Sequence, residues 1–290
     1  MVKIMQNLNE ANLTEAVIAA MSKAENPRFK EIMTSLVKHL HAFIQEVNLT
    51  ESEWLKGIQF LTAVGQKCDD KRQEFILLSD TLGGTTMKDF VNNRKPPGVT
   101  EYTILGPFYR PDAPEFPLGG NIAGDISGEP VMMRGRVLAP DGSPIPNAEL
   151  DVWQSDSEGF YDLQMEDMQG SALRGVFHTD EAGNYMFRTV KPSFYPIPSD
   201  GPVGQMLIAM GRHPYRPAHI HFMISAEGYQ PVTTELFVSG DPYLDSDTVF
   251  GVRESLIVPF IRNEAKETAQ QLNVSIPFYT VDYDFVLEPA

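Results

Sequence analysis

The change in sequence pattern at Pro96-Pro97-Gly98 is the feature that most constrains how this chain folds. Before it, apolar residues recur every three to four positions, which is typical of amphipathic helices. After it, Pro and Gly recur every few residues between short β-prone runs, a punctuation typical of strands joined by turns. We therefore predict an α+β protein with a helical N-terminal domain at 1–100 and a β-sandwich domain at 101–290.

Three segments of the first hundred residues carry helix signals. Residues 26–47 space their apolar side chains along one helical face. Thr50 followed three residues later by Glu53 forms a capping-box pattern, so a second helix is expected to begin there. A third helix is predicted over 69–80, ending near Gly83.

Seven segments of the remainder combine β-branched and aromatic residues, with turn sequences such as PDGSP and DEAGN between them. Short strands with this punctuation indicate an antiparallel sandwich, in which alternate residues of each strand face the core. The predicted strands are 130–138, 148–155, 184–190, 204–211, 218–225, 231–239 and 278–289.

The charge of the chain limits its partners. It carries 23 Lys and Arg residues against 39 Asp and Glu residues, a formal net charge of -16. Such a chain repels nucleic acid and anionic membranes, so we expect a small substrate held by a local site. Cys68 is the only cysteine, which rules out an intrachain disulfide. The start shows no signal-peptide pattern and no apolar run approaches about 20 residues, so we expect a cytoplasmic protein without membrane insertion.

Two histidines, His219 and His221, lie one residue apart in the predicted strand 218–225. Alternate residues of a strand project from the same face, and two buried imidazoles need polar partners or a metal. A hairpin centred near Gly228 places Glu235 directly opposite His221. These two histidines and one carboxylate form a first candidate ligand set, suited to Fe(II) or to zinc.

Two tyrosines offer a second ligand set together with the same histidines. Tyr161 is expected at the end of the strand that contains Trp153, and Tyr195 in a loop bounded by prolines. Phenolates are hard anionic ligands suited to Fe(III), and a trivalent cation can lower the phenol pKa far below its free value of about 10. Each tyrosine also fits as an ordinary packing residue, so the residues alone leave both ligand sets open.

Four motifs together resemble the intradiol ring-cleavage dioxygenases: RPAHIHF, DVWQSDSEGFYD, ILGPFYRPDAP and PSFYPIPSDGPVGQ. The resemblance runs from the helical start to about Val258. It implies an enzyme that opens an aromatic ring with O2 between two adjacent hydroxyl-bearing carbons. The cofactor implied is a non-haem Fe(III), held by Tyr161, Tyr195, His219 and His221.

Within that family, the loop YPIPSDGPVG and the segment ILLSDTLG look most like the hydroxyquinol branch. The resemblance implies hydroxyquinol (1,2,4-trihydroxybenzene) as substrate and 3-hydroxy-cis,cis-muconate or maleylacetate as product, with catechol or chlorocatechol as the alternative substrate. An acidic Asp80 is able to accept a hydrogen bond from the additional ring hydroxyl, and a site built around such a bond discriminates strongly. The alternative is that Asp80 is a solvated residue in the last turn of its helix.

The expected catalytic residues are Arg216, Tyr195 and Glu235. In the family the tyrosinate corresponding to Tyr195 takes a substrate proton, and Arg216 is placed to stabilise negative charge. Glu235 departs from the glutamine that catechol enzymes usually carry, so its role is expected to be indirect. The expected substrate-binding residues are Leu77, Asp80, Ile104, Leu105, Gly106, Pro107, Phe108, Ile197, Pro198 and Arg216.

The resemblance also implies a homodimer joined through the N-terminal helices, with an apolar tunnel able to hold phospholipid tails. A competing class is a non-catalytic binding module of the transthyretin-like kind, which the run GRVLAPDGSPIPNAELDVWQS would also fit. That alternative leaves the paired histidines and the two tyrosines without a purpose.

Overall fold

The computed structural model describes residues 7–70, 72–165 and 170–290. The chain divides into two compact units, one ending at Ala63 and the other beginning at Val64. The first unit is helical. Its elements are α1 (Leu13–Ala20), α2 (Pro27–Glu46) and most of α3 (Glu51–Gln66).

The helix signals of the first unit are confirmed. Asn26 caps α2, because its side chain accepts a hydrogen bond from the backbone N–H of Phe29 at 3.0 Å. The capping box at the start of α3 forms as predicted. The Thr50 N–H donates to the Glu53 carboxylate at 2.9 Å, and the Glu53 N–H lies 3.4 Å from the Thr50 hydroxyl. These contacts fix where both helices begin.

The described residues of the second unit form four further helices: α4 (Glu74–Thr81), α5 (Gly84–Asn92), α6 (Pro202–Ala209) and α7 (Lys266–Leu272). The helix predicted over 69–80 begins later, at Glu74, and residue 71 lies outside the described residues. The strand predicted at 204–211 is wrong, because residues 204–209 belong to α6 and residues 210–211 follow its end. Pro202 at the first turn of α6 favours a helix start, and a short apolar run fits a helix as well as a strand.

Twelve strands are found in the described part of the second unit. They are β1 (Pro130–Leu138), β2 (Glu149–Gln154), β3 (Arg174–His178), β4 (Asn184–Val190), β5 (Tyr195–Pro196), β6 (Tyr215–Arg216), β7 (His219–Ser225), β8 (Val232–Val238), β9 (Ile257–Val258), β10 (Ile261–Asn263), β11 (Phe278–Asp282) and β12 (Phe285–Val286).

These strands form two five-stranded sheets and a small two-stranded one. The first sheet contains β10, β11, β1, β12 and β4, and the second has the order β3-β2-β7-β8-β9. Strands β5 and β6 pair separately. Most neighbours are antiparallel, as predicted, but β1 runs parallel to β11 and β12, and β8 runs parallel to β9. The sequence pattern did not indicate these parallel pairs.

The main core contains side chains from both five-stranded sheets, which confirms the sandwich. From β7, Ile220, Phe222 and Ile224 enter this core and are fully buried. Because strand residues alternate, His219 and His221 project from the opposite face of β7. The candidate site therefore lies on the side of the second sheet that faces away from the sandwich core. Among the described residues, no helix combines the length and hydropathy needed to cross a membrane.

Candidate metal and substrate site

The strand register brings the first candidate ligand set together. His221 pairs with Glu235 across β7 and β8, which confirms the hairpin prediction. The Nε2 atoms of His219 and His221 are 3.2 Å apart, and Glu235 Oε1 lies 3.4 Å and 3.6 Å from them. All three side chains are buried, and their ligand atoms lie within 4.8 Å of one another. The group is therefore able to hold a metal.

Both tyrosines reach the same cluster. Tyr161 Oη lies 3.3 Å from His219 Nε2, and the rings of Tyr161 and Tyr195 meet edge to face with centroids 5.5 Å apart. The Tyr195 ring also lies 5.6 Å from that of His219. Tyr161 does not end β2 as expected; it follows a turn and caps the short 3-10 helix Asp162–Gln164. The turn carries the side chain from the strand to the histidine pair.

The tautomer of His219 is set by the chain itself. Its Nδ1 lies 2.7 Å from the carbonyl oxygen of Pro217, which can only accept, so Nδ1 carries the proton. The lone pair is therefore on Nε2, which points into the cluster, as a metal ligand requires. Burial, assisted by the nearby charge of Arg216, lowers the pKa of His219 and keeps the imidazole neutral.

Burial also favours the neutral form of the two phenols. Burial raises the pKa of Tyr161 well above its ordinary value and also raises the pKa of Tyr195. A cation of high charge in direct contact is able to ionise such phenols. Two neutral imidazoles and two buried phenols around one point form a donor set that fits a ferric ion.

The ring of His221 is closely packed. Trp153 stacks on it with centroids 4.7 Å apart and planes within 5° of parallel. Gly106 also lies close to it, and a Cβ built at Gly106 would lie 3.4 Å from His221 Cε1. Gly106 also has φ +73°, which favours glycine. Gly106 was predicted to bind substrate, whereas no role was predicted for Trp153.

Arg216 is buried within the site, where it is only 2% exposed. Its Nη1 donates to Glu235 Oε1 at 2.8 Å and lies 3.3 Å from His219 Nε2. Its Nε and Nη2 face the two carboxylate oxygens of Asp247 at 3.2 Å and 3.3 Å. Burial alone would lower the pKa of Arg216, but the charges of Asp247 and Glu235 hold that pKa well above its ordinary value. Sequence reasoning missed Asp247, since no local motif connects it to Arg216.

Glu235 is ionised in this arrangement. Burial alone would raise the pKa of its carboxyl group, but the charge of Arg216 lowers it below the ordinary value. The carboxylate therefore serves first as the partner of Arg216, and the same oxygen faces both histidine nitrogens.

The predicted apolar walls are only partly assembled. Ile104, Ile197 and Leu77 pack into one small cluster with Leu207 and Val249. Phe108 stacks on Tyr161 with ring centroids 4.3 Å apart. The remaining predicted wall residues are exposed: Leu105, Pro107 and Pro198.

Asp80 is buried near the end of α4 rather than solvated. Burial raises the pKa of its carboxyl group, while a hydrogen bond from Thr85 and the charge of Arg216 oppose that rise. Leu77, one helical turn earlier, contacts the Ile104 cluster. These relations connect Asp80 to the same region as Arg216.

Two family descriptions match the chain. Residues 26–100 match "Catechol dioxygenase N terminus" and residues 104–289 match "Dioxygenase". The second match continues well beyond Val258, where the sequence resemblance was expected to end.

Curated relatives and solved structures agree with these matches. The chain is 52% identical to a hydroxyquinol 1,2-dioxygenase from a Rhizobium species, over 96% of this chain and 95% of the relative. It is 50% identical to a 6-chlorohydroxyquinol 1,2-dioxygenase from Cupriavidus pinatubonensis, over 99% of this chain and all (100%) of the relative. A solved hydroxyquinol 1,2-dioxygenase from Pseudomonas putida superposes with a TM-score of 0.92 at 48% identity, covering 97% of this chain and 99% of the other.

The fold and site define a ring-cleaving oxygenase whose helical N-terminal region precedes a β-sandwich. The chain belongs to the intradiol ring-cleavage dioxygenases. It is therefore an enzyme, and the non-catalytic binding module is rejected. Membership of this family implies an aromatic substrate, O2 and a non-haem iron.

Proposed function

We propose that this protein is a hydroxyquinol 1,2-dioxygenase. It opens the ring of hydroxyquinol with O2 between the two adjacent hydroxyl-bearing carbons, giving 3-hydroxy-cis,cis-muconate or its tautomer maleylacetate. The names of several relatives at about 50% identity support this substrate. The observation that carries the proposal is the buried carboxylate of Asp80, placed within electrostatic reach of Arg216.

Asp80 explains how a triol is told from a diol. A buried carboxylate is costly, and the third hydroxyl of hydroxyquinol can donate a hydrogen bond to Asp80 in addition to the one from Thr85. Catechol lacks that hydroxyl, so the carboxylate keeps only its own contacts when catechol binds. Discrimination then comes from the partner that catechol fails to supply.

The cofactor we propose is Fe(III), held by Tyr161, Tyr195, His219 and His221. The support is the donor set: a lone pair on His219 Nε2 and two buried phenols that only a strongly charged cation would ionise. When bound, the ferric ion supplies chelation of the two adjacent hydroxyls, which makes the ring electron-rich enough to react with O2. The catechol and chlorocatechol alternatives would use the same four ligands.

The remaining steps belong to the protein. Tyr195 is assigned to accept a proton from a substrate hydroxyl, because its ring lies beside His219 and close to the charge of Arg216. Arg216 presents Nη1 beside His219, where it stabilises negative charge developing on the ring. Leu77, Ile104 and Ile197 orient the flat ring and exclude water.

Oxygen uptake and colour test the proposal together. Purified iron-loaded protein is expected to be red to burgundy from tyrosinate-to-Fe(III) charge transfer, and to consume O2 fastest with hydroxyquinol among hydroxyquinol, catechol and chlorocatechols. Tyr195→Phe removes or greatly shifts the visible band. Tyr185→Phe is the matched control, because Tyr185 is equally buried but its hydroxyl donates to Tyr283 O in the sandwich core. Faster turnover of catechol would contradict the substrate assignment.

The same experiment separates the two ligand sets. The alternative is an Fe(II) site of His219, His221 and Glu235, favoured by the closeness of their ligand atoms. An iron-replete but colourless protein would support that alternative. The contact that opposes it is the one at 2.8 Å between Glu235 Oε1 and Arg216 Nη1, because it occupies the oxygen nearest both histidines.

Assembly and location complete the proposal. We propose a homodimer joined through the N-terminal helices, supported by the half-exposed apolar residues of α2. Phospholipid binding by these helices, a cytoplasmic location and a domain boundary near residue 100 stay predictions from the sequence.

A further inference from the structure

Arg216 forms ion pairs with two carboxylates, and only one of them was predicted to be part of the site. Glu235 accepts a hydrogen bond from Nη1, the nitrogen that lies close to His219. Asp247 binds the other edge of the guanidinium, with Oδ1 facing Nε at 3.2 Å and Oδ2 facing Nη2 at 3.3 Å. Two parallel contacts fix a planar guanidinium in direction as well as in place.

Asp247 is itself held rigidly. It is 5% exposed, so water does not compete for its oxygens. The backbone N–H of Gly251 donates to Oδ2 at 2.8 Å, and that of Val249 donates to Oδ1 at 3.3 Å. The loop after the short 3-10 helix Leu244–Ser246 therefore fixes the position of the Asp247 carboxylate, which in turn positions the Arg216 guanidinium.

Gly251 limits the space behind the guanidinium. A Cβ at this position would lie 2.7 Å from Arg216 Nη2, 3.0 Å from Asp247 Oδ2 and 3.2 Å from Glu235 Oε2. Its backbone is outside the left-handed region, so alanine would add a clash without backbone strain. The main chain at Gly251 therefore leaves no room for a side chain beside Arg216 Nη2.

We propose that Asp247 and Gly251 are positioning residues, which act through Arg216 by fixing the direction in which Nη1 faces the reacting ring. The inference rests on the proposed function, because it requires Arg216 to stabilise charge on the substrate. With Asp247 neutralised, the guanidinium loses the negative charge beside its Nε and Nη2, so its direction is fixed less firmly.

A double-mutant cycle tests the inference in the iron-loaded, full-length enzyme. The variants are Asp247→Asn, Gly251→Ala, Arg216→Gln and the double variant Asp247→Asn with Arg216→Gln. Misplacing Arg216 is expected to lower kcat roughly 10- to 100-fold in Asp247→Asn and in Gly251→Ala, with a smaller change in KM. The double variant is expected to match Arg216→Gln within about twofold, because the two residues act as one unit.

Three measurements besides turnover distinguish positioning from a merely structural role. Iron content, the visible band and the affinity for substrate titrated without O2 are expected to stay at wild-type values in Asp247→Asn and Gly251→Ala. Asp89→Asn is the matched control, a buried carboxylate on α5 that pairs with Lys88, and its kcat is expected to be unchanged.

Losses that multiply in the double variant would overturn the inference, and so would loss of iron from both Asp247→Asn and Gly251→Ala. If Asp247→Asn fails to fold, Gly251→Ala carries the test, since it retains every charge. Running the cycle on both hydroxyquinol and catechol keeps the two proposals separate. A wild type that prefers catechol contradicts the proposed substrate, whereas the cycle on catechol still decides the role of Asp247.

Discussion

Asp80 shows at the residue scale how a costly group can supply specificity. Its carboxylate is buried, and burial raises its pKa, so it holds its charge at an energetic cost. We expect Asp80→Asn to lower kcat/KM for hydroxyquinol by roughly 10- to 100-fold, the worth of one hydrogen bond to a charged group. The value for catechol is expected to change much less. Steady-state O2 uptake with both substrates measures this ratio.

The control for Asp80 is Asp89→Asn, which removes another buried carboxylate from the neighbouring helix α5. It is expected to leave the substrate ratio unchanged. An equal loss with hydroxyquinol and catechol in Asp80→Asn would mean that Asp80 maintains the fold or the iron site and does not read the third hydroxyl.

Asp151 provides a pH-dependent test on β2. Burial raises its pKa to about 6, partly opposed by a hydrogen bond from Tyr109, whose own pKa rises to about 12. In the unfolded chain, the pKa of an Asp carboxyl group is about 3.9. Because the pKa is higher in the folded state, ionisation of Asp151 destabilises the fold. The cost is absent below about pH 4, where the carboxyl group is neutral in both states, and it grows until about pH 6.

We therefore expect Asp151→Asn to raise the free energy of unfolding at pH 7, because asparagine does not ionise. The expected gain is on the order of 1 kcal/mol, since solvent screening reduces the effect of the pKa shift. The gain is expected to vanish below about pH 4, where both forms are neutral. Denaturant unfolding of wild type and variant between pH 3.5 and 8, roughly the range that spans both pKa values, measures the difference. A gain that is constant with pH would contradict the assignment.

At the scale of elements, a buried ion pair joins three segments around Tyr161. Arg174 on β3 donates through Nε to Asp162 at 2.7 Å, and its Nη atoms contact the carbonyl oxygen of Phe108 at 3.2 Å. Both charged side chains are about 2% exposed or less. The pair therefore holds the segment that carries Tyr161 and the segment that carries Phe108 against the second sheet.

Arg174→Met is expected to destabilise the fold by about 3–5 kcal/mol, because it leaves the charge of Asp162 buried and unpaired. The exposed pair of Arg134 and Asp282 provides the control, since Arg134→Met is expected to cost less than about 1 kcal/mol. Urea unfolding of the iron-free proteins gives both values. Equal small changes would show that the buried pair contributes no more than a surface pair.

Local patterns predicted the elements whose signals lie within a few residues. The capping box at Thr50 and the alternation of β7 were predictable because each depends on neighbours in the chain. The apolar run in α6 was misassigned, since nothing within it separates a short helix from a strand. Tyr161 was wrongly predicted at the end of a strand for a related reason. The segment between β2 and Tyr161 has no hydrophobic pattern that would mark where the strand ends.

At the scale of the whole molecule, what the sequence could not predict depends on contacts between distant segments. Asp247 meets Arg216 across 31 positions, and Arg174 reaches Phe108 across 66. Strand β11 joins β1 in parallel after more than a hundred intervening residues. Only the hairpin between β7 and β8 is short enough for counting to place Glu235 opposite His221. The histidine pair and its carboxylate were therefore predictable, whereas the contact between Asp247 and Arg216 was not.

We expect self-association of the chain to use one face of α2 in the helical unit. Six apolar residues recur along it at intervals of three and four positions, and each is about half exposed: Phe29, Ile32, Leu36, Leu40, Phe43 and Val47. An apolar stripe of this length is the kind of surface that helices bury against one another. The opposite side of α2 is polar, and His41 and Gln45 on it contact Thr14 and Glu10.

We expect the wild type to sediment as a dimer of the 32.4 kDa chain, and Leu36→Glu to shift it to the monomer. Placing a charge at the centre of a buried apolar contact is expected to weaken association by at least roughly 100-fold, because the carboxylate would lose its water without gaining a partner. Lys38→Glu adds negative charge on the opposite side of the same helix and is expected to leave the dimer intact. Sedimentation velocity across a range of concentrations measures both. A monomeric wild type, or equal dissociation in the two variants, would show that this face of α2 does not form the interface.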